Sequence, residues 1–348
     1  MRDFNYLEIK DKTYDAEIVS LIAAIYKFAG KQEMYVRQRP EELEKLVEIA
    51  KIQSTESSNE IEGIITTNTR IKQLIEEKTT PKNSNEEEIA GYRDALNIIH
   101  ESFDAIPISK NYILQLHKIL CSHMNNPVAG KTKDVQNYIS ASYPDGRTEI
   151  LFTPLSPFET PIALEKICEE YNKAIGNNQV ESLLLIPIFI HDFLCIHPFN
   201  DGNGRMSRLL TSLLLYRSGF FVGKYISLEA KIAKNKDLYY NALNLSQIDW
   251  HDGKENALPF VKYLLGTILA AYKDFEDRFE IVEEKTSAFE MIKKATQKKL
   301  GKFKKQDIRE LCPALSVSSV EGALRKLVET GELKREGKGK STFYYRVK

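Results

Sequence analysis

Cysteine is scarce in this 348-residue chain. Its four residues, Cys121, Cys168, Cys195 and Cys312, show no Cys-x-x-Cys spacing, so neither a disulfide framework nor a thiolate zinc site is expected. Long hydrophobic runs are lacking too. The longest, Leu183 to Ile190, stops at His191-Asp192, far short of the ~18 apolar residues that a membrane helix needs. Met1-Arg-Asp-Phe-Asn-Tyr6 has no apolar segment of the kind found in signal peptides. A cytoplasmic protein with no membrane partner is therefore expected. No repeat period or low-complexity tract is evident, and the length suits two or three ordinary globular domains. Net charge is also absent, with 49 Lys and Arg against 49 Asp and Glu. That balance conceals a segregation: residues 285–348 carry 17 basic and 7 acidic side chains, an excess that the other residues offset.

What is present is concentrated in His197-Pro-Phe-Asn-Asp-Gly-Asn-Gly-Arg-Met-Ser-Arg208. His197 is the one side chain in the run that accepts a proton near neutral pH. Asp201 offers a carboxylate oxygen of the kind Mg²⁺ takes when it is shared with phosphates. Gly202 and Gly204 have no Cβ, so their N–H groups can approach an anion closely. The periodic Met206, Leu209, Leu210, Leu213 and Leu214 then place a helix start at the glycines, with its free N–H donors and positive dipole end aimed at whatever binds there. Arg205 and Arg208 lie three apart, as neighbours on one face. Two such cations beside orphan N–H groups call for an anion to share.

Competing motifs fail residue by residue. An EF-hand loop from Asp201 needs an acid or amide where Arg205 stands, and a dinucleotide fingerprint needs a third glycine where Ser207 stands. Gly130-Lys131-Thr132 would end a P-loop only if position 125, an asparagine, were glycine.

Residues 41–62 read as a helix through Leu43, Leu46, Val47, Ile49, Ala50 and Ile52, with Gly63 as its stop. Ser58 and Glu62 then share a face. Between Lys133 and Pro154, two apolar segments flank Pro144-Asp145-Gly146, which reads as a β-hairpin in an otherwise helical chain. Helices follow from Pro161 to Ala174 and from Ser182 to near Phe279. Tyr239, Tyr240, Asn241, Asn244 and Gln247 sit at helical spacing. His117, His123 and His191 read as packed or surface histidines, since their spacing builds no metal site. At the C-terminus a helix over Thr286–Thr296, a second over Lys304–Leu311 and a third opened by a Ser318-x-x-Glu321 capping box precede two short strands around Gly337-Lys-Gly339-Lys. Val320, Leu324, Leu327 and Val328 give the third helix its core face, leaving Ser319, Glu321, Arg325 and Lys326 outward.

The run at 197–208 resembles the signature of the Fic family, His-Pro-Phe-x-Asp/Glu-Gly-Asn-Gly-Arg-x-x-Arg, at every specified position. The likeness extends more weakly over most of residues 1–275. It implies a mainly α fold, a Fic helical core with a β-hairpin flap, and a transfer of the AMP part of ATP to a hydroxyl of a target protein with release of pyrophosphate. By this resemblance His197 is the general base and Asp201 holds Mg²⁺ against the phosphates. Gly202, Asn203 and Gly204 form the anion hole, Arg205 holds the β- and γ-phosphates, and Arg208 pairs with the γ-phosphate. Tyr240 and Gln247 supply the adenine pocket, and the flap, residues 133–154, docks the target protein as an added strand. Ser58, Glu62 and Gly63 match the family's inhibitory motif, Ser/Thr-x-x-x-Glu-Gly/Asn, whose glutamate pairs with the second arginine, here Arg208, and so occupies the place of the γ-phosphate.

The last segment resembles a winged helix-turn-helix module, which presents its third helix to duplex DNA. The expected domains are an N-terminal helical region over 1–105 that carries the inhibitory motif, a catalytic core over 106–280 and a winged-helix domain over 285–348. Winged helices also serve as protein docking or dimerisation modules, so a second copy of the chain is a further candidate partner. Two functions compete: an autoinhibited protein adenylyltransferase, and a DNA-binding transcriptional regulator that uses the Fic domain as a nucleotide sensor. An intact His197 favours the first, because a sensor needs the cradle but not a base.

Overall fold

The computed structural model describes residues 2–38, 40–142, 145–176, 179–282, 287–299, 301–313 and 315–347. Pro144 of the expected hairpin turn, and Lys285 and Thr286 at the expected start of the last segment, lie outside them.

The fold is mainly α. In chain order the body holds α1 (Ala16–Gln38), α2 (Pro40–Ile61), α3 (Asn68–Ile75), α4 (Ser84–Ser102) and α5 (Lys110–Leu120). A hairpin of β1 (Ile139–Ser142) and β2 (Thr148–Phe152) follows, then α6 (Thr160–Gly176), α7 (Ser182–Ile196), α8 (Asn203–Arg217), α9 (Leu228–Lys234), α10 (Lys236–Ser246) and α11 (Leu258–Val282). Helix starts carry side-chain caps where an oxygen can take an orphan N–H, as Asn83 does for α4, Ser109 for α5 and Ser227 for α9. The central α7 is apolar nearly all round and correspondingly buried on almost every side. It packs between α6, α8 and α11, while α11 also lies along α1 and α10.

One core cluster runs from Phe4 to Phe279, so the helices before residue 105 and those after it are packed as one body. The single tryptophan, Trp250, is fully buried and donates to Asp192 Oδ1 at 2.7 Å. All four cysteines are buried and free. No helix among the described residues is long and apolar enough to cross a membrane.

The hairpin is antiparallel, pairing Ile139 with Phe152 and Ser142 with Thr148, with a register shift after Ile139. A second, smaller core, including Ile292, Phe303, Ile308, Val320, Leu324 and Leu327, belongs to α12 (Ala288–Lys298), α13 (Lys305–Leu311), α14 (Val317–Glu329) and the antiparallel pair β3 (Leu333–Glu336) and β4 (Phe343–Arg346). Its order of elements is the expected one, with one correction. The cap of α14 is Ser316, whose hydroxyl accepts from the Ser319 N–H at 3.1 Å. The capping box proposed at Ser318 is therefore absent, and Glu321 pairs instead with Lys305. Both Ser316 and Ser318 suit an N-cap by type; the helix starts two residues earlier than the motif suggested. This module meets the body through Lys298 and Asp277 at 3.0 Å and Lys234 and Glu310 at 3.3 Å.

Candidate functional site

α7 and α8 meet head to tail at a loop that holds the first half of the motif. His197 caps α7 in the left-handed region, at φ 53° and ψ 62°, which is uncommon for a residue with a Cβ. Its Nδ1 lies 3.2 Å from the Leu194 carbonyl; a carbonyl only accepts, so Nδ1 carries the proton and Nε2 keeps its lone pair. Burial pushes the ring down to about 4, against the opposing effect of the Leu194 contact, so the imidazole is neutral at physiological pH. The side chain lines a cavity shared with Gly202, Asn203, Gly204, Arg208, Tyr240 and Gln247. The cluster expected from the sequence is thus assembled in space, with Arg205 as its exception.

Gly202 begins α8 at φ 82°, a conformation that favours glycine. The N–H groups of Asn203, Gly204 and Arg205 have no acceptor inside the helix and stand at the dipole's positive end. The Asn203 side chain is turned away to tie the loop: its Oδ1 accepts from the Phe199 N–H at 2.9 Å and its Nδ2 donates to the Phe199 carbonyl at 2.7 Å. His117, read from the sequence as merely packed, supports the same loop. Its ring stacks on Phe199 with centroids 3.7 Å apart and its Nε2 lies 3.1 Å from the Asp201 carbonyl. Nothing local in the sequence marks His117, because its partners lie about eighty residues away.

The two arginines do not share an anion. Arg208 donates from Nε to Ser58 Oγ at 2.8 Å, and from one terminal nitrogen to the Ser58 carbonyl at 2.9 Å and to Glu62 Oε1 at 2.8 Å. Burial lowers the tendency of Arg208 to hold its charge, but Glu62 and the neighbouring Tyr239 and Tyr92 together raise it above the ordinary value. Arg205 pairs instead with Glu88 on α4 at 2.5 Å and with Asp201 at 3.2 Å. Each cation has its own carboxylates, so the repulsion expected between them is already met. Glu88 was not singled out in the sequence because Glu86-Glu87-Glu88 reads as the acidic first turn of a helix.

Glu62 follows α2 directly, and Gly63 turns the chain at φ 80°. Lys236 of α10 donates to the Ile61 carbonyl at 2.5 Å, fixing the end of α2 beside Tyr240, over whose ring the same ammonium sits at 5.7 Å. The Glu62 carboxylate presses on the helix start: a Cβ added at Gly204 would lie 2.3 Å from Glu62 Oε1. With Glu62 in this position the cavity measures about 190 Å³, below the ~300–1,000 Å³ of ordinary ligand pockets.

The hairpin borders the cavity through Ile139. Gln247 Nε2 donates to the Leu151 carbonyl at 3.4 Å and His251 Nε2 lies 2.9 Å from the Thr153 carbonyl, which anchors β2 to the loop after α10. Tyr138 and Ile150 leave large apolar surface exposed there. The Asp201 carboxylate is open to solvent, with Oδ1 accepting from the Gly202 N–H at 2.6 Å. Among the described residues no three His, Cys, Asp or Glu side chains gather as a metal cage. One exposed hard carboxylate beside an anion cradle does fit Mg²⁺, which keeps most of its ligands as phosphate and water.

Residues 107–215 match the sequence model of the Fic/DOC family. A Fido domain-containing protein of Dictyostelium discoideum is 27% identical over 139 residues, 39% of this chain and 92% of that protein. Protein adenylyltransferase fic-1 of Caenorhabditis elegans is 32% identical over 113 residues, which is 32% of this chain but 20% of that protein. The crystal structure of a Fic family protein from Desulfovibrio desulfuricans G20 superposes over 97% of both chains with a TM-score of 0.62 at 19% identity, a likeness of fold. Residues 107–215 are thus similar to the Fic/DOC family, and proteins named adenylyltransferases are among those the chain resembles.

Proposed function

We propose that this protein is an autoinhibited protein adenylyltransferase that moves AMP from ATP to a hydroxyl side chain of a target protein. The observation that carries the reading is the shared cavity: a neutral imidazole with a free Nε2, the amide-bearing start of a helix and Arg208 all line one space. In the reaction the target oxygen loses its proton to His197 Nε2 and bonds to the α-phosphorus. The bond from that phosphorus to the oxygen bridging the α- and β-phosphates breaks, and its electron pair leaves with pyrophosphate. AMP remains as a phosphodiester on the target. The amides of α8 receive phosphate charge from a fixed, preorganised dipole. Mg²⁺, held by Asp201 when bound with the nucleotide, neutralises phosphate charge.

Half-exposed Tyr240 and Gln247 line the cavity with a ring and an amide, groups suited to a nucleobase. Arg205 takes a supporting part in this reading, since it holds Asp201 and joins α8 to α4 through Glu88. Glu62 is the brake: while it holds Arg208 it takes the counter-charge that a γ-phosphate would supply. The exposed edge and apolar surface of the hairpin suit an extended target segment.

Residues 287–347 serve in this proposal as a winged helix that localises the enzyme or selects targets. Exposed Arg325, Lys326 and Arg335 favour duplex DNA as its ligand, and binding by the full-length protein should then weaken steeply with added salt. Binding that ignores salt would favour protein docking.

The function is tested by incubating the Glu62→Gly protein with α-labelled nucleoside triphosphates, one base at a time. Label should become covalently attached to protein from ATP. His197→Ala in the same background should lower the rate by ~10²–10⁴-fold, the usual contribution of a positioned base. Transfer at an undiminished rate by that variant would reject the mechanism.

A further inference from the structure

The loop that carries His197 is held from outside the motif by residues 133–137, the first part of the segment read from the sequence as the flap. Four consecutive carbonyls, those of residues 196–199, face residues 133–137. The Lys133 ammonium donates to the Ile196 carbonyl at 3.1 Å, and the Lys133 backbone N–H donates to the Pro198 carbonyl at 2.8 Å. The Asn137 amide donates to the His197 carbonyl at 3.4 Å and to the Phe199 carbonyl at 2.9 Å. Lys133 Nζ also donates to Asn137 Oδ1 at 2.8 Å, which fixes the amide with its NH₂ toward the loop.

This is a specific answer to a specific difficulty. The last carbonyls of a helix lack partners inside it, and here α7 ends in a buried loop that water reaches poorly. The residue that ends it is a histidine in the left-handed region, which persists only where the surroundings over-determine it. A lysine 2% exposed with two neutral acceptors is a costly device, and burial lowers its proton affinity to about 8. Its position explains the cost. The ammonium is bound to the carbonyl immediately before His197, and its charge opposes protonation of the ring.

We propose that Lys133 and Asn137 are positioning residues for the transfer, forming a carbonyl clamp that holds His197 in its left-handed conformation with Nε2 in the cavity. The inference rests on the adenylyl-transfer reading above. The clamp ends two residues before β1, so the strand that borders the cavity and the base are tied to one short segment.

The test uses the full-length chain in the Glu62→Gly background, with Lys133→Met, Lys133→Arg and Asn137→Ala, and isotope-labelled histidine. His197 is assigned by the signal missing from His197→Ala. The charged groups acting on this ring are Lys133, Glu62 and Asp201, and the shared background removes Glu62 from every comparison. Lys133→Met should lower kcat by ~10–10²-fold, as a small misplacement of a reacting group does, with KM for ATP unchanged. In that variant the His197 signal should titrate at higher pH than in the parent and lose the sharp Nδ1–H resonance of a fixed tautomer. Lys133→Arg, which keeps charge and donors, should recover most of both. An unaltered His197 titration and resonance in Lys133→Met overturns the clamp. Should Lys133→Met fail to fold, Asn137→Ala decides: it keeps the ammonium but removes two carbonyl bonds, and an unchanged kcat and His197 resonance would refute the proposal. Absence of any transfer by the parent would instead defeat the adenylyl-transfer reading, and the resonances would still judge the clamp.

Discussion

Arg205 and Arg208 stand one turn apart on α8, and both are almost wholly buried, yet they serve opposite ends of the site. Arg205 is joined to Glu88 in the body of α4, away from the cavity lining, and its second carboxylate, Asp201, belongs to its own loop. Arg208 lines the cavity and is joined to Glu62, just beyond the end of α2, where Gly63 turns the chain. The Glu88 side chain is 15% exposed and that of Glu62 is 32% exposed. On the proposed function, identical cations serve as a fixed strut in one place and an exchangeable contact in the other. The difference lies in whether another anion can reach the guanidinium, and only Arg208 faces space for one.

The largest expected effect is that of acid on the body that holds both pairs. His100, His117, His191 and His197 are buried and held at or below about 4, against an unfolded value near 6.5. The unfolded chain therefore binds more protons between pH ~6.5 and ~4, and stability falls as pH falls through that window. Asp192, pushed up to about 6 by its burial, opposes this over part of the range. A net uptake of two to three protons would cost about 3–4 kcal/mol per pH unit, at about 1.4 kcal/mol per proton. Urea unfolding followed from pH 7 to 4.5 measures it, and a flat profile would contradict neutral buried imidazoles.

Glu88→Ala comes next. It leaves Arg205 buried with only the exposed Asp201, and loss of one partner of a buried pair costs about 3–5 kcal/mol. The urea midpoint should drop accordingly, with no release of activity. Glu62→Gly should cost less, about 1–2 kcal/mol, because Glu62 is a third exposed and Ser58 still binds Arg208. It should also gain more thermal protection from ATP than the wild type does, since nucleotide phosphates then supply the missing charge. Equal costs for the two substitutions would erase the distinction between strut and gate.

How much of this was legible in the sequence follows the same division. His197 to Arg208 could be read in one line because its parts are local: a base, a carboxylate, two glycines and two cations at a helix start. Ser58 and Glu62 could be read as sharing a face from helical spacing alone, and the hairpin from two apolar segments flanking Pro144-Asp145-Gly146. Glu88, His117, Lys133 and Asn137 could not be read. Each acts through a partner sixty or more residues away, and periodicity reports only which face of an element is buried. Arg205 and Arg208 stand three apart on one helix, but spacing carries no information about the carboxylates that separate their roles, Glu88 on α4 and Glu62 just beyond α2. The start of α14 was misplaced by two residues because two serines there were equally suited to cap it.

The central claim is that one carboxylate, Glu62, decides whether Arg208 is free for a nucleotide. The most direct measurement is the initial rate of covalent labelling from α-labelled ATP by the wild type, by Glu62→Gly and by Glu62→Gly/Arg208→Ala. If the competent state of the wild type is a minor population, its rate is reduced by that fraction. Glu62→Gly should then label at least ~10-fold faster than the wild type, and the double variant should lose most of that gain. Equal rates for the wild type and Glu62→Gly would contradict the account.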